Sequence, residues 1–289
     1  MVAEGTYEER PFLKSRLATV DTVAEGRRKH HIPVLLELDV TQARDLLRTH
    51  KEQTGKSLSF TGWLVTCLAQ AVGEHKHVHA MRRGRRKLVV FDDVDVAIVV
   101  ERTVRRTGGG TETLPMPYVV RRAQEKSVLQ VHDEIRQAQT APVNAGDPQL
   151  GPPQDARLVS LFFSLPQFLR RWLLWRRLTH DPFYAKQTMG TVMVTSVGMF
   201  GREGGYAWAI PTGLHPLVVT VGPVIRKPGV VGDDIAIREL LSITVLFDHD
   251  VTDGAPVARF LARFRELIET GYGLSDQRAA EGLAQDKQA

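Results

Sequence analysis

Five strand-like runs crowd the last third of the chain: Thr191 to Val197, Ala207 to Ile210, Leu217 to Val221, Ile235 to Leu240 and Ser242 to Phe247. They lead into one helical stretch that carries Val257, Phe260, Leu261, Phe264, Leu267 and Ile268 at three- and four-residue spacing, a single apolar stripe. A second stripe, Phe60, Trp63, Leu64, Cys67, Leu68, Ala71 and Val72, marks a core helix between Ser59 and Val72. Strands and helices mix without strict β-α-β alternation, so the predicted class is α+β, a large mixed sheet covered by helices.

The rest of the chain fits that frame. Residues 1–30 are polar and end on Arg27-Arg28-Lys29, and they read as an N-terminal arm. Val34 to Val40 has strand composition, and Thr41 is placed to cap a helix through about His50. Lys87 to Phe91 and Val94 to Glu101 are predicted strands. The first is preceded by Arg82-Arg83-Gly84-Arg85-Arg86, which reads as a solvated turn, with contact to cofactor phosphates as the alternative. Gly108-Gly109-Gly110 is a loop, and Glu125 to Gln139 is a predicted helix with Val128, Leu129, Val131, His132 and Ile135 toward the core. Residues 141–155 have linker composition. The following stretch, through Phe168-Leu169-Arg170-Arg171-Trp172-Leu173-Leu174-Trp175-Arg176-Arg177, is the most amphipathic in the chain; it suits a membrane surface, a partner groove or a subunit contact, and packing on the protein's own body or a neighbour is the commoner explanation. The organisation is therefore an arm at 1–30, a catalytic-type domain at 31–272 with an insertion at 140–189, and a frayed tail at 273–289.

The formal charge of +5 points to anionic partners without choosing among them, and nothing in the sequence calls for nucleic acid. The single cysteine, Cys67, lies on the apolar stripe and reads as core, and no metal-ligand spacing is present. The chain has neither a signal-peptide pattern nor an apolar run long enough to span a bilayer, so a cytoplasmic location is expected.

Chemistry concentrates in Asp248-His249-Asp250-Val251-Thr252-Asp253-Gly254, between the last strand and the last helix. A histidine near neutrality can take a proton from a thiol or hydroxyl as that group attacks a thioester, then return it to the leaving group. Asp253 brings a carboxylate four residues on, and Gly254 permits close backbone approach. Taken alone, a histidine beside aspartates is more often structural or exposed than catalytic, so the segment by itself does not decide for catalysis.

With its neighbours, the segment resembles the catalytic domain of the dihydrolipoamide acyltransferases of 2-oxoacid dehydrogenase complexes. The family motif D-H-R-x-x-D-G-A is matched by Asp248 through Ala255, and G-T-F-T-I-S-N-L-G-M-F-G by Gly190 through Gly201. Ala123-Gln124-Glu125-Lys126-Ser127 and His31-Ile32-Pro33 match two further stretches in the same order. The resemblance implies the chloramphenicol-acetyltransferase-like sandwich, a homotrimer or a multiple of it, and a channel between subunits that admits coenzyme A, as substrate, from one end and dihydrolipoamide from the other. It makes His249 the general base, gives Asp253 an architectural or orienting role, and puts Thr195 where the family has an oxyanion-stabilising serine, with Ser196 as a second donor.

Two substitutions depart from the family pattern: Asp250 for arginine and Ser196 for asparagine. About thirty residues before the domain leave no room for a lipoyl domain, so a lipoyl or pantetheine arm is expected from another protein in trans, with no lipoyl attachment on this chain. Two rivals stand beside this reading: a catalytically weak oligomeric scaffold of the same fold, and a chloramphenicol-type O-acetyltransferase. The second usually has another histidine where this chain has Asp248.

Overall fold

The computed structural model describes residues 5–10, 12, 16–105, 111–140, 161–162, 164–196 and 207–275. Six strands form one mixed sheet in the order β1-β8-β7-β6-β4-β5, built from β1 (His31–Asp39), β4 (Val96–Arg105), β5 (Thr111–Val120), β6 (Val192–Ser196), β7 (Leu217–Val231) and β8 (Asp234–Asp248). β6 runs parallel to both β4 and β7, and every other pairing is antiparallel. A separate two-stranded hairpin joins β2 (Met81–Arg83) to β3 (Lys87–Val89).

The period-two alternation of strands decides which face is core. In one register row, Val194, Val219, Val245 and Val34 point to the face covered by helices α2 (Thr41–Thr54), α3 (Phe60–Glu74), α4 (Val128–Thr140) and α7 (Gly254–Glu269). α3 is the buried centre of this layer; Trp63 is fully enclosed, and its Nε1–H donates to the Tyr272 carbonyl at 3.0 Å. Cys67 lies on the same helix, and burial pushes its thiol up, which makes it an inert core residue.

The next row, Thr195, Thr220 and Thr244, points to the opposite face. There the stretch 207–216 crosses the sheet with no strand pairing, so the strand expected at Ala207 to Ile210 is absent. Trp208 fixes this stretch by donating Nε1–H to the Leu36 carbonyl at 3.2 Å. Helix α1 (Arg16–Gly26) lies outside it, and Gly26 comes so close that an added Cβ would sit 2.8 Å from the Gly213 carbonyl oxygen.

Several sequence-derived boundaries shift for local reasons. Thr41 opens α2 without capping it; Asp39 Oδ1 instead accepts from Thr41 N–H at 2.9 Å and from Thr41 Oγ1 at 2.6 Å. The two runs expected at Ile235 to Leu240 and Ser242 to Phe247 form one strand, β8, and β7 continues to Val231. The register slips between Val221 and Val224, where Gly222-Pro223 forms a bulge. The 141–155 linker and the Gly108 to Gly110 loop lie outside the described residues, as does nearly all of the 273–289 tail. No described helix is long and apolar enough to cross a membrane.

The amphipathic insertion forms α5, which runs through Gln167–Arg170, a π-helical turn at Arg171–Trp175, and Arg176–His180; α6 (Pro182–Met189) comes next. Its apolar side docks on the chain's own body: Trp175, Leu178 and Ala185 join Met81 and Phe91 in a second, smaller core. Asp181 caps α6, accepting from Phe183 N–H at 3.1 Å, ahead of a proline at the first turn. Gly190 closes the helix at φ +79°, with the Asp95 carbonyl only 2.7 Å from where a Cβ would stand. Only glycine fits at that position.

Two buried histidines set an acid limit on this fold. Burial lowers His79 to about 4 although its Nε2–H donates to the Phe91 carbonyl, and it lowers His215 to about 4 although its Nε2–H donates to the Met189 carbonyl. Both are neutral in the folded chain, whereas the unfolded imidazoles titrate near their ordinary 6.5. Between those values the unfolded state binds more protons, so stability present above pH 6.5 is lost as pH falls toward 4. The loss is about 3 kcal/mol per histidine. Urea midpoints at several pH values check this, and His79→Gln is expected to flatten the slope.

Candidate active site

β8 ends at Asp248, and the chain turns through His249 to Val251 before α7 begins. Asp248 organises this turn. Its carboxylate is buried, with Lys29 Nζ at 2.8 Å from Oδ2 and the Asp250 N–H donating to Oδ1 at 3.2 Å. Its own carbonyl accepts from Val251 and Thr252 N–H, and its N–H donates to the Pro216 carbonyl. A carboxylate held this firmly at the strand end fixes the direction in which the next side chain leaves.

That next side chain is His249. Its backbone N–H donates to the His30 carbonyl at 3.0 Å; its ring is exposed and lies 6.0 Å, centroid to centroid, from that of Phe247. The backbone is thus pinned, and the side chain stands exposed beside Phe247. Asp250 is engaged by other groups. Its carboxylate takes His30 Nδ1–H at 2.9 Å and Arg82 at 3.3 Å; the His30 bond, against slight burial, holds it below the usual carboxylate range. Asp253 stands at the N-cap position of α7, exposed, and its side chain makes no capping bond.

Thr195 and Ser196 lie elsewhere. Thr195 pairs with Thr220, which pairs with Thr244, and His249 follows the end of β8, five positions after Thr244. Two strand spacings and five residues of rise separate the pair by roughly 19 Å within one chain. Thr195 is half-buried near the far end of β6 and Ser196 is exposed there. The fold therefore unites His249, Asp253 and the Asp248 turn, and leaves the two hydroxyls apart.

Asp248 and Lys29, which shape the turn, stand outside the quartet that the sequence pattern singles out. The signal that marks them is the basic triplet Arg27-Arg28-Lys29 directly before His30-His31-Ile32-Pro33, whose lysine faces a buried acid. His31 continues the support: its Nε2–H donates to the His215 carbonyl at 2.9 Å, and burial lowers its pKa from the ordinary histidine value.

Residues 4–145 and 184–274 match the family model of the 2-oxoacid dehydrogenases acyltransferase (catalytic domain). The chain belongs to this acyltransferase family. A lipoamide acyltransferase component of the branched-chain alpha-keto acid dehydrogenase complex from Bacillus subtilis is 23% identical over 84% of this chain and 48% of its own length. A dihydrolipoyllysine-residue acetyltransferase component of the pyruvate dehydrogenase complex from Zymomonas mobilis is 35% identical over 30% of this chain and 20% of its own length. The chain thus spans less than half the length of these curated relatives.

Among solved structures, a probable dihydrolipoamide acetyltransferase from Listeria monocytogenes superposes with a TM-score of 0.61 at 19% identity, covering 92% of this chain and 96% of that one. Azotobacter vinelandii dihydrolipoamide acetyltransferase gives 0.63 at 18%, covering 93% of each. The fold is accordingly that of the acyltransferase family cores, an α+β six-stranded mixed sheet with helices. Residues 146–183, which include all of α5, fall between the two family-matched stretches.

Proposed function

We propose that this chain transfers an acyl group between coenzyme A and a thiol such as dihydrolipoamide, supplied in trans, with His249 as general base. The observation that carries the reading is the His249 turn. An exposed imidazole on a backbone pinned by His30, beside a strand end fixed by Asp248 and Lys29, stands within the segment Asp248 to Ala255 on which the family motif falls.

The step balances in the usual way for acyl transfer. The imidazole takes the proton of the incoming thiol as its sulfur bonds to the thioester carbonyl carbon, and the carbonyl oxygen becomes an oxyanion. Thr195 Oγ–H donates to that oxygen, with Ser196 as a second donor. Collapse breaks the other carbon–sulfur bond, and the departing thiolate takes the proton from the imidazolium. Asp253 keeps the architectural or orienting role that the family resemblance gives it, at the start of α7, and the Asp250 carboxylate is engaged by His30 and Arg82.

Because the base and the hydroxyl donor are roughly 19 Å apart in one chain, the site is completed by a second subunit, and the functional unit is a homotrimer or a multiple of it. The β7–β8 hairpin supports assembly. Val230 pairs with Ile235 and Pro228 with Ile237, so these side chains share one face, and Ile235 is 80% exposed. An apolar hairpin face of this kind is suited to burial against another copy.

Purified protein is expected to release free coenzyme A thiol from one or more of a panel of acyl-coenzyme A thioesters when dihydrolipoamide is added, and to run as a trimer or larger in light scattering. A stable monomer at micromolar concentration, or an assembled protein without transfer to any thiol, would overturn the reading.

A further inference from the structure

Beside the His249 turn lies a cavity of about 690 Å³. It is an open cleft bordered by α5, the end of α1 with the residues after it, the β2–β3 turn, and Asp248 and Asp250. Its volume falls within the ordinary range of small-molecule sites. His249 itself is not in the wall.

The charge inside is lopsided. Each acid in the wall is already matched: Glu25 by Arg171, Asp248 by Lys29, and Asp250 by Arg82. Three further lining arginines, Arg28, Arg85 and Arg176, have no ion-pair partner among the described residues. They come from three different elements and converge on one space. Isolated surface arginines are ordinarily solvated, but three unpaired guanidiniums around one concavity focus a positive potential that a polyanion would satisfy. Guanidinium is also the side-chain group best shaped for bidentate phosphate contacts.

The fourth element of recognition is flat and apolar. Trp172 and Phe168 line the same cavity from α5 and are 65% and 68% exposed. α5 buries its other side in Trp175 and Leu178, so leaving these two rings in water gains nothing for folding. A ring face beside clustered arginines is the arrangement that holds a nucleobase whose phosphates are neutralised nearby.

We infer that this cavity binds a nucleotide-type polyanion, its base on Trp172 and Phe168 and its phosphates on Arg28, Arg85 and Arg176. Two sources share that chemistry: the nucleotide end of an acyl-coenzyme A thioester, and a free adenine nucleotide acting as an effector. The first rests on the acyltransfer reading; the second does not. α5 lies outside the two family-matched stretches, whereas Arg28 and Arg85 lie within the first of them.

The test is titration of the assembled protein with 3′,5′-ADP, ADP and coenzyme A, followed by calorimetry and tryptophan fluorescence. Saturable binding that quenches fluorescence is expected. In Arg85→Ser/Arg176→Ser, two exposed positions whose loss leaves no buried charge unpaired, the Kd should rise roughly 30-fold or more. Trp172→Ala should weaken it by about 5- to 100-fold. Preference for 3′,5′-ADP and coenzyme A, with competition between them, assigns the site to the thioester; preference for ADP assigns it to an effector. No saturable binding below millimolar concentration, or wild-type affinity in the folded double variant, overturns the inference. Binding without acyl transfer would sink the proposed activity and leave this site standing; acyl transfer with unaltered nucleotide affinity in the variant would do the reverse.

Discussion

In the assembled protein, His249→Ala lowers kcat for acyl transfer by about a hundred- to ten-thousand-fold, the usual contribution of a positioned general base. An ordinary thiol is mostly protonated near pH 7, so attack on the thioester requires a group to receive its proton. The fold should survive the change. The ring is exposed and makes no hydrogen bond among the described residues, and alanine keeps the backbone N–H that meets the His30 carbonyl. His79→Ala and His215→Ala should act through stability instead, since each removes a buried hydrogen-bond donor from a carbonyl. Thr195→Val is expected to reduce kcat by less than loss of the base does, because it removes one oxyanion donor while Ser196 remains. Steady-state rates of thiol release, with trimer content measured on the same sample, decide the matter. Near-wild-type turnover by assembled His249→Ala would remove the mechanism.

Asp21→Ala is expected to detach α5 and to cost about 3–5 kcal/mol, the range for breaking a buried ion pair by removing one partner. Against the roughly 5–15 kcal/mol that holds a typical domain together, this is a large fraction. Asp21 is fully buried on α1, and Arg170 grips it with Nε at 2.7 Å and a terminal nitrogen at 2.9 Å. Trp175 Nε1–H and Gln167 Nε2–H donate to the same carboxylate, each at 3.3 Å. Burial alone would push this carboxyl up; the Arg170 guanidinium and the other donors outweigh it and hold it below the usual range. Without Asp21, the Arg170 charge stays buried with only the Leu165 carbonyl. Amide exchange across residues 167–180 should accelerate together with the loss of stability. Asp21→Leu/Arg170→Met should be more stable than Asp21→Ala, because no charge is left behind. An Asp21→Ala protein with unchanged urea midpoint and protected α5 amides would contradict the clamp.

This clamp also explains where the sequence was opaque. α1 carries almost no apolar periodicity, and its buried residues are Asp21, Glu25 and Gly26, so a reading based on hydrophobic stripes sees a polar arm. Its helix is held by charges whose partners lie about 150 positions away, which no local pattern records. β5 escaped for another reason: Pro115 and Pro117 argue against a strand, and they are tolerated because β5 is an edge paired only with β4. The stripes of α3 and α7 and the apolar runs of β1, β4, β6 and β8 were legible because burial of a periodic face is local information. Within the site, His249 and Asp253 stood out through spacing, whereas Asp248 and Lys29 did not. Their ion pair links positions 29 and 248, and its importance comes from burial that only the assembled sheet creates.

The π turn in α5 bears on how this insertion can change length. A π turn closes over one residue more than an α turn, so it stores an extra residue without rotating the rest of the helix. Trp175 and Leu178 therefore still face inward and Arg176 still faces the cavity. Leu173, within that turn, is 51% exposed and belongs to neither the small core nor the cavity wall. Its deletion would convert the wide turn into an ordinary one with both faces in phase. A second deletion would swing everything downstream by about 100°. Chains sharing this helix can accordingly differ by one residue there, and variation of one residue but not two is the mark by which the same device would be known elsewhere.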